Sequence, residues 1–391
     1  MFKGENMKDF DVIIIGGGAS GCICAIFAKN KYKNILIIDK QPKLAKKILV
    51  TGNGRCNLTN IATSSKYYNQ NIDNYLKQFN VNDTLSFFNK IGLEYYFDNE
   101  GRVYPISNSA KSVVEVITNE IEKLQINYQL NSEVKEIMCR KDGFIVETDK
   151  TNFSSKKLVI ATGGNSLNNI ISCLGIKSKV NVPSLVSLKI NSSKNLANIR
   201  LSNVKTSLII NNKNVYSELG EILFRENGIS GICIFNISAI LSRRHKFDGE
   251  LHIDLLPNYT EEEIYNKLLN RKKINSPLNK FFDGMFARQI GYEILNRAKI
   301  DENRLSNKLT NDEIKSFANI IKNLNYKIKD CLENNQVYSG GIILSELNQN
   351  LECKKYKNLY FCGEVCDIDG MCGGYNLQWA WTSGAIIGQN I

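Results

Sequence analysis

Apolar residues near the N-terminus fall into short unbroken runs closed by turn residues. Asp11-Val12-Ile13-Ile14-Ile15 runs into Gly16-Gly17-Gly18-Ala19-Ser20-Gly21, so an apolar strand meets a glycine turn that opens an alanine-containing helix. A second run, Ile35-Leu36-Ile37-Ile38, ends in Asp39. Runs of this kind, bounded by turn signals, fit strands buried on both faces of a parallel sheet. The two predict a β-α-β unit, and the segment Lys46–Asn60 after it is too polar and glycine-rich to be a core element. Helical patterns follow at Asp73–Phe79, Asp83–Ile91 and Ala110–Leu124, with a hairpin-like Leu93–Tyr104 between them. Strands fit Val134–Met138, Phe144–Thr148 and Leu158–Ala161, and the last leads into Thr162-Gly163-Gly164, back beside the first sheet.

From about Leu185 the texture changes. Ser187–Ile190, Thr206–Ile210, Val215–Leu219 and Glu250–Leu255 read as strands of a separate β-rich module. Glu261–Asn270, Met285–Asn296 and Asp312–Ile321 read as helices, and β structure is expected again at Gln336–Tyr338 and Leu359–Cys362. The final stretch, from Tyr360-Phe361-Cys362-Gly363-Glu364 to Gly373-Gly374-Tyr375-Asn376-Leu377-Gln378-Trp379-Ala380, is again strand, glycine turn, helix. The expected division is 1–185 as the first part of a nucleotide-binding domain, 186–258 as a β-rich insert and 259–325 as a helical module. Residues 326–335 return to the insert and 336–391 complete the first domain. The fold class expected is α/β, Rossmann-like and discontinuous.

Composition narrows the class. A chain of 391 residues suggests two or three domains, and 43% apolar content is ordinary for a globular protein. No stretch approaches the roughly 20 apolar residues that span a bilayer, and no signal-peptide pattern opens the chain, so a cytoplasmic protein without a membrane partner is expected. The 11 cysteines are odd in number and lie in core-like segments, which fits reduced thiols. Cys22/Cys24 and Cys362/Cys366/Cys372 lack paired C-x-x-C spacing and a histidine partner, so no metal is expected. The net charge of +11 is spread along the chain without a nucleic-acid module, which argues against a nucleic-acid partner.

The two glycine turns carry the chemistry. In the first, Gly16 makes the tight turn, Gly18 allows close approach of a pyrophosphate, and Gly21 allows the helix to pack on the strand. The helix N-terminus presents free N–H groups to phosphates. Asp39 stands about where a ribose hydroxyl needs an acid. NAD would be satisfied by this one cradle, whereas an extended FAD needs a second grip. The C-terminal turn supplies it, with Glu364 available to ribityl hydroxyls and Gly373-Gly374 bringing a helix N-terminus to the ring edge where negative charge collects on reduction. A second strand-G-x-G-x-x-G-helix is absent, so NAD(P)H is expected only as a transient electron donor.

On Gly16–Gly21, Lys47-Ile48-Leu49, Thr51-Gly52-Asn53-Gly54-Arg55-Cys56-Asn57, Gly101-Arg102-Val103-Tyr104-Pro105, Ala161-Thr162-Gly163-Gly164, Asn227-Gly228-Ile229-Ser230-Gly231 and Gly363–Trp379, the chain resembles a known family. It is similar to FAD-binding flavoproteins with aminoacetone oxidase-like and bile-acid-reductase-like members, grouped as NAD(P)/FAD-dependent oxidoreductases. The resemblance implies a two-dinucleotide-binding FAD domain interrupted by a β-barrel-like insert and a small helical module. It implies FAD on Gly16, Gly18, Ala19, Ser20 and Gly21, with Asp39 and Lys40 at the adenosine ribose and the Val134 backbone against adenine. Lys47 and Gly52 to Asn57 would lie along the pyrophosphate and flavin. Ala161, Thr162 and Gly163 join them, with Gly363 and Glu364 at the ribityl chain and Gly374, Tyr375, Asn376 and Leu377 under the ring. The sequence departs from the family at Asn165–Asn169 and at Ile232.

The activity expected is exchange of hydride equivalents between flavin N5 and a small organic substrate. Tyr104 and Tyr375 are candidate proton donors, because a phenol beside a flavin can protonate a developing carbanion. Cys56 is a candidate redox thiol that lacks a resolving cysteine at C-x-x-C spacing. A flavoprotein acting on or binding RNA, and a non-catalytic flavin-binding protein, are the alternatives.

Overall fold

A computed structural model describes residues 8–164, 174–332 and 337–391. The chain divides into two compact units, one of Met1–Val182 with Gln336–Ile391 and one of Pro183–Asn335. The departure at Asn165–Asn169 and residue Gln336 lie outside the described residues.

The first unit is organised on a seven-stranded sheet ordered Asn127–Gln129, Ile35–Ile38, Lys8–Ile15, Asn152–Ile160, Gly143–Thr148, Val134–Arg140, with Leu359–Phe361 also paired to Asn152–Ile160. The apolar runs occupy its centre in parallel register, Ile14 opposite both Ile37 and Val159. Tyr360 also pairs in parallel with Val159, so the last strand joins the sheet one strand away from the first. Residues Val12 to Ile14, Ile35, Ile37 and Ile38 have no exposed surface, as expected of strands covered on both faces. One covering layer contains the helices Ala19–Ala28 and Tyr375–Asn390. They touch at backbone distance, for a Cβ on Gly384 would meet Ser20 O at 2.4 Å and one on Gly388 would meet Cys24 O at 2.6 Å. Bulkier residues at either position would part the helices.

A small sheet ordered Thr59–Asn60, Arg102–Pro105, Tyr95–Phe97 also belongs to this unit. The reading of Lys46–Asn60 as too polar for a core needs correction in its second half. Lys46–Gly54 is a tight-turned segment that is mostly on the surface, but Cys56, Asn57, Leu58, Thr59 and Asn60 are all buried. Thr59 Oγ1 and Leu58 O find partners in the C-terminal helix. Helix Asp73–Leu76 is shorter than expected, whereas Val81–Lys90 is closed at its start by a reciprocal Asn80–Asp83 capping box.

In the second unit six strands close into a barrel ordered Leu188–Ile190, Gly228–Ser230, Lys213–Arg225, Arg200–Ile210, Gly249–Asp254, Leu324–Cys331. The last returns to the first in antiparallel pairing. Helices Glu261–Lys272, Arg288–Ala298 and Asn311–Lys322 share one buried cluster with the barrel, in which Phe281, Ile294 and Phe317 stand with Leu208, Leu251 and Ile253. Strand Leu324–Cys331 carries the period-2 signal in its sequence, with Leu324, Tyr326 and Ile328 buried between polar residues, whereas helix Ile232–Arg243, which begins at the departure Ile232 and is apolar on most faces, had no periodic signal. Among the described residues, no helix is long and apolar enough to cross a membrane.

Candidate active site

The site is assembled where the two glycine turns of the first unit meet. Gly16 has φ 108°, and a Cβ there would stand 2.4 Å from Ala161 O, so the turn closes against the neighbouring strand only without a side chain. A Cβ on Gly21 would lie 1.9 Å from Gly16 O, which fixes the helix on its own turn. Gly18 is different, because nothing lies within 4 Å of where its Cβ would be. It precedes a helix with no side-chain cap, so the amides of Ala19, Ser20 and Gly21 have no intrahelical acceptor at the positive helix end. This is the geometry an anion requires.

Asp39 closes the other side of the turn. Its Oδ2 accepts from Gly17 N–H at 2.6 Å and its Oδ1 from Gln41 N–H at 2.8 Å, leaving the carboxylate beside the cradle with lone pairs to spare. Lys40 is exposed next to it. Ser132 N–H donates to Asp39 O, which brings buried Val134, two residues on, to the same end of the sheet. Cys22 donates to Gly17 O at 3.3 Å; burial, then the nearby Asp39 charge, pushes its thiol up to about 12.

Glu364 is the junction between the ends of the chain. Its Oε2 meets Lys47 Nζ at 2.8 Å and Gly164 N–H at 3.2 Å, while its Oε1 accepts from Tyr338 N–H at 2.9 Å. Gly363, at φ 76°, packs against Ser20, whose Oγ would be 2.4 Å from a Cβ there. Gly163, also at positive φ, leaves 3.3 Å between a built Cβ and Glu364 Oε2, and Ala161 N–H is tied to Ile15 O at 2.7 Å. Thr162 is half-buried between them. Residues 342 positions apart thus form one continuous wall.

Beyond Glu364 the wall continues into Gly52–Asn57 and the start of helix Tyr375–Asn390. Gly52, Asn53, Gly54 and Cys56 all have positive φ, and Gly54 opens onto free space. Arg55 is exposed and lies 4.6 Å over the Tyr104 ring. Asn376 is held by Gly370, donating to its carbonyl and accepting from its N–H, both at 2.9 Å, and Leu377 is half-buried. Burial pushes the Cys56 thiol up to about 12, so it is a poor redox nucleophile.

The candidate proton donors differ. Tyr104 is buried, its phenol raised above the ordinary value by burial and drawn back by the Arg102 and Arg55 guanidinium groups. Tyr375 stacks on Tyr67 at 4.2 Å with the rings 11° apart, and its phenol is raised by burial and by its hydrogen bond with Tyr67. Both phenols stay protonated at neutral pH.

Sequence reasoning missed the side chains that hold the second turn. Gln378, fully buried, accepts from Thr59 Oγ1 at 2.6 Å and donates to Thr84 Oγ1 at 2.8 Å and Thr382 Oγ1 at 3.0 Å. Trp379 Nε1 donates to Gly363 O at 3.0 Å and Trp381 Nε1 to Leu58 O at 2.8 Å. The signal was the run Gln378-Trp379-Ala380-Trp381, with more polar aromatic atoms than a packing helix needs. In the second unit an open depression of about 720 Å³, lined by Asn266, Leu269, Asn270, Lys272, Lys273 and Asn307, holds neither an acid nor a thiol. It offers binding contacts but no redox chemistry.

Comparison with known proteins matches the chain, over residues 10–390, to the family described as HI0933-like protein Rossmann domain. A 3-dehydro-bile acid delta(4,6)-reductase of Clostridium scindens is 30% identical, the match covering 96% of this chain and 97% of that protein. A ribosomal RNA dihydrouridine synthase of Escherichia coli is 28% identical, with 98% of each chain covered. Among solved structures, the 3-ketosteroid-delta4-(5alpha)-dehydrogenase of Rhodococcus jostii superposes with a TM-score of 0.50 at 13% identity, over 98% of this chain and 96% of that one. At that identity the likeness concerns the fold.

Proposed function

This chain belongs to the HI0933-like Rossmann-domain family of flavin-dependent oxidoreductases, and on that footing we propose that it binds one FAD along the wall between its glycine turns and reduces carbon–carbon double bonds conjugated to a carbonyl. The observation that carries the cofactor assignment is the junction at Glu364, where the C-terminal strand-turn-helix packs on Ser20 and a buttressed carboxylate stands between two uncapped helix starts. The residues fit the group. Gly18 to Gly21 would take the pyrophosphate and Asp39 the adenosine ribose, with Lys40 and Val134 at the adenosine end. Lys47 and Glu364 would serve the ribityl hydroxyls, lined by Gly163 and Gly363, and Gly52–Asn57 with Gly374–Leu377 would hold the ring.

The substrate class comes from what the relatives' names share. Removing a delta-4,6 unsaturation from a 3-dehydro bile acid and turning uridine into dihydrouridine both saturate a C=C bond conjugated with a carbonyl. When bound, reduced FAD supplies the hydride from N5. The chain's part is to supply the proton for the carbon next to the carbonyl and to keep that donor protonated. Tyr104 suits this, being a buried phenol with two guanidinium groups beside it to stabilise the phenolate left after transfer. Tyr375, paired with Tyr67, serves to shape the ring pocket.

The test is anaerobic. Purified protein should carry a yellow flavin spectrum that NADH or NADPH bleaches, and a 3-oxo-Δ4 steroid or a simpler enone should restore it. Tyr104→Phe should leave the bleaching rate unchanged and slow the restoration about a hundredfold. Protein that takes up no FAD on reconstitution would sink the cofactor reading, and reduced flavin that no enone reoxidises would sink the substrate class. RNA is the second reading, favoured by the Escherichia coli relative and the +11 charge. It requires restoration by uridine-containing RNA, with binding that weakens steeply as salt rises.

A further inference from the structure

Two guanidinium groups act on the phenol of Tyr104, and their commitments differ. Arg102 is held by carboxylates of its own hairpin: its Nε meets Asp98 Oδ2 at 2.7 Å, its second terminal nitrogen pairs with Glu100, and its side chain is 17% exposed. Two negative charges offset its one positive charge. Arg55, exposed and 4.6 Å over the Tyr104 ring, forms no ion pair among the described residues, and its side chain makes one long hydrogen bond, from Nε to Gly52 O at 3.5 Å. Both terminal nitrogens of its fork are left for a ligand.

The arm is open to solvent, but its root is fixed. Arg55 N–H donates to Gly52 O at 3.3 Å and Cys56 N–H to Thr51 O at 3.0 Å, and the next side chain, Cys56, is fully buried. The turn therefore presents a cation beside one particular buried phenol. Reduction of a C=C bond conjugated to a carbonyl makes a demand that this pairing meets. Hydride reaching the carbon remote from the carbonyl pushes the π pair through the α-carbon onto the carbonyl oxygen; the oxygen then returns the pair as the α-carbon takes a proton. The atom that holds the charge and the atom that takes the proton are two bonds apart. A group that steadies the first must stand next to the group that protonates the second.

Resting on the reduction reading above, we propose that Arg55 is the electrophile of this reaction, its guanidinium holding the substrate's carbonyl oxygen and stabilising the enolate that precedes proton transfer from Tyr104. Water resupplies the Tyr104 proton after each cycle. Arg102 stays with Asp98 and Glu100 and takes no part in binding. A site built for an enolate also takes stable oxyanions of the same shape, so phenolates are its expected mimics.

The experiment titrates p-nitrophenol, whose colour reports its own ionisation, into the oxidised, FAD-loaded full chain. The wild type should capture the yellow phenolate, and the bound phenol should ionise at a lower pH than the free one. Arg55→Met should keep its FAD and bind the phenolate about tenfold more weakly, having lost a charged donor. Its reduced flavin should be restored by enone about a hundredfold more slowly, and guanidinium ion added to the solution should recover part of that rate. Tyr104→Phe should bind the phenolate within about threefold of the wild type, which separates the oxyanion's partner from the proton's. Phenolate binding that Arg55→Met leaves intact overturns the inference. Loss of FAD by Arg55→Met does so as well, because it would put the guanidinium on the cofactor. A wild type whose reduced flavin no enone restores is a failure of the reduction reading itself, and it is seen apart from the phenolate titration.

Discussion

At the N-terminal turn, Gly16 and Gly21 are packed against backbone oxygens of Ala161 and Gly16, and the ordering of the turn is carried by main chain. At the C-terminal turn, Asn376 brackets Gly370, Gln378 gathers three hydroxyls, and two tryptophans donate to carbonyls of distant segments. Both turns open an uncapped helix, and both helices start where a ligand's charge would be welcome. The first is shaped by the absence of side chains and the second by their presence. A turn made of missing atoms tolerates no additions, whereas a turn held by hydrogen bonds fails by degrees.

That difference is open to test. Gly21→Val should cause the largest damage, because its Cβ would stand 1.9 Å from a carbonyl of the same rigid turn. The cost should exceed about 3 kcal/mol and appear as lost soluble protein or a much lowered melting temperature; melting close to the parent's would mean that the turn absorbs the clash. Gln378→Leu should cost less, about 2–3 kcal/mol in a denaturant titration, as three buried hydroxyls lose a partner. A loss as large as that of Gly21→Val would erase the contrast between the turns.

Asp39→Ala should weaken FAD binding about tenfold and lower the melting temperature by less than Gln378→Leu does, since it strips two amides, one of them buried, of their acceptor. Smallest is a labelling difference. Cys22, fully buried with its thiol at about 12, carries almost no thiolate at pH 8 and should resist iodoacetamide, while half-buried Cys372 at the other turn is modified before it. The Cys22 rate should climb only as the pH approaches 12. Equal labelling at pH 8 would mean that the first turn opens as readily as the second.

The sequence was legible where one residue type has one use. Val12–Ile15 and Ile35–Ile38 are buried strands, Gly16 closes the turn and Gly21 the helix contact as their spacing implied, and the space at Gly18 is open. It was less legible where a residue's role depends on a distant partner. Nothing local to Thr59 announces Gln378, and nothing local to Leu58 announces Trp381, so Lys46–Asn60 read as surface although its second half is buried. Helix Ile232–Arg243 escaped because burial on most faces erases the periodicity that marks a helix. Asn57 was picked out by its motif, but nothing in the sequence marks its side-chain oxygen as buried without a partner.

The contacts of Gly384 with Ser20 O and of Gly388 with Cys24 O lock together two helices that each begin at a glycine turn. With no side chains between them to yield, the spacing of those starts is a fixed length written into the backbone. The pair behaves as a gauge. A ligand that met both starts would have to match that spacing, and one of another length would forfeit a helix end, so length would be read before any functional group.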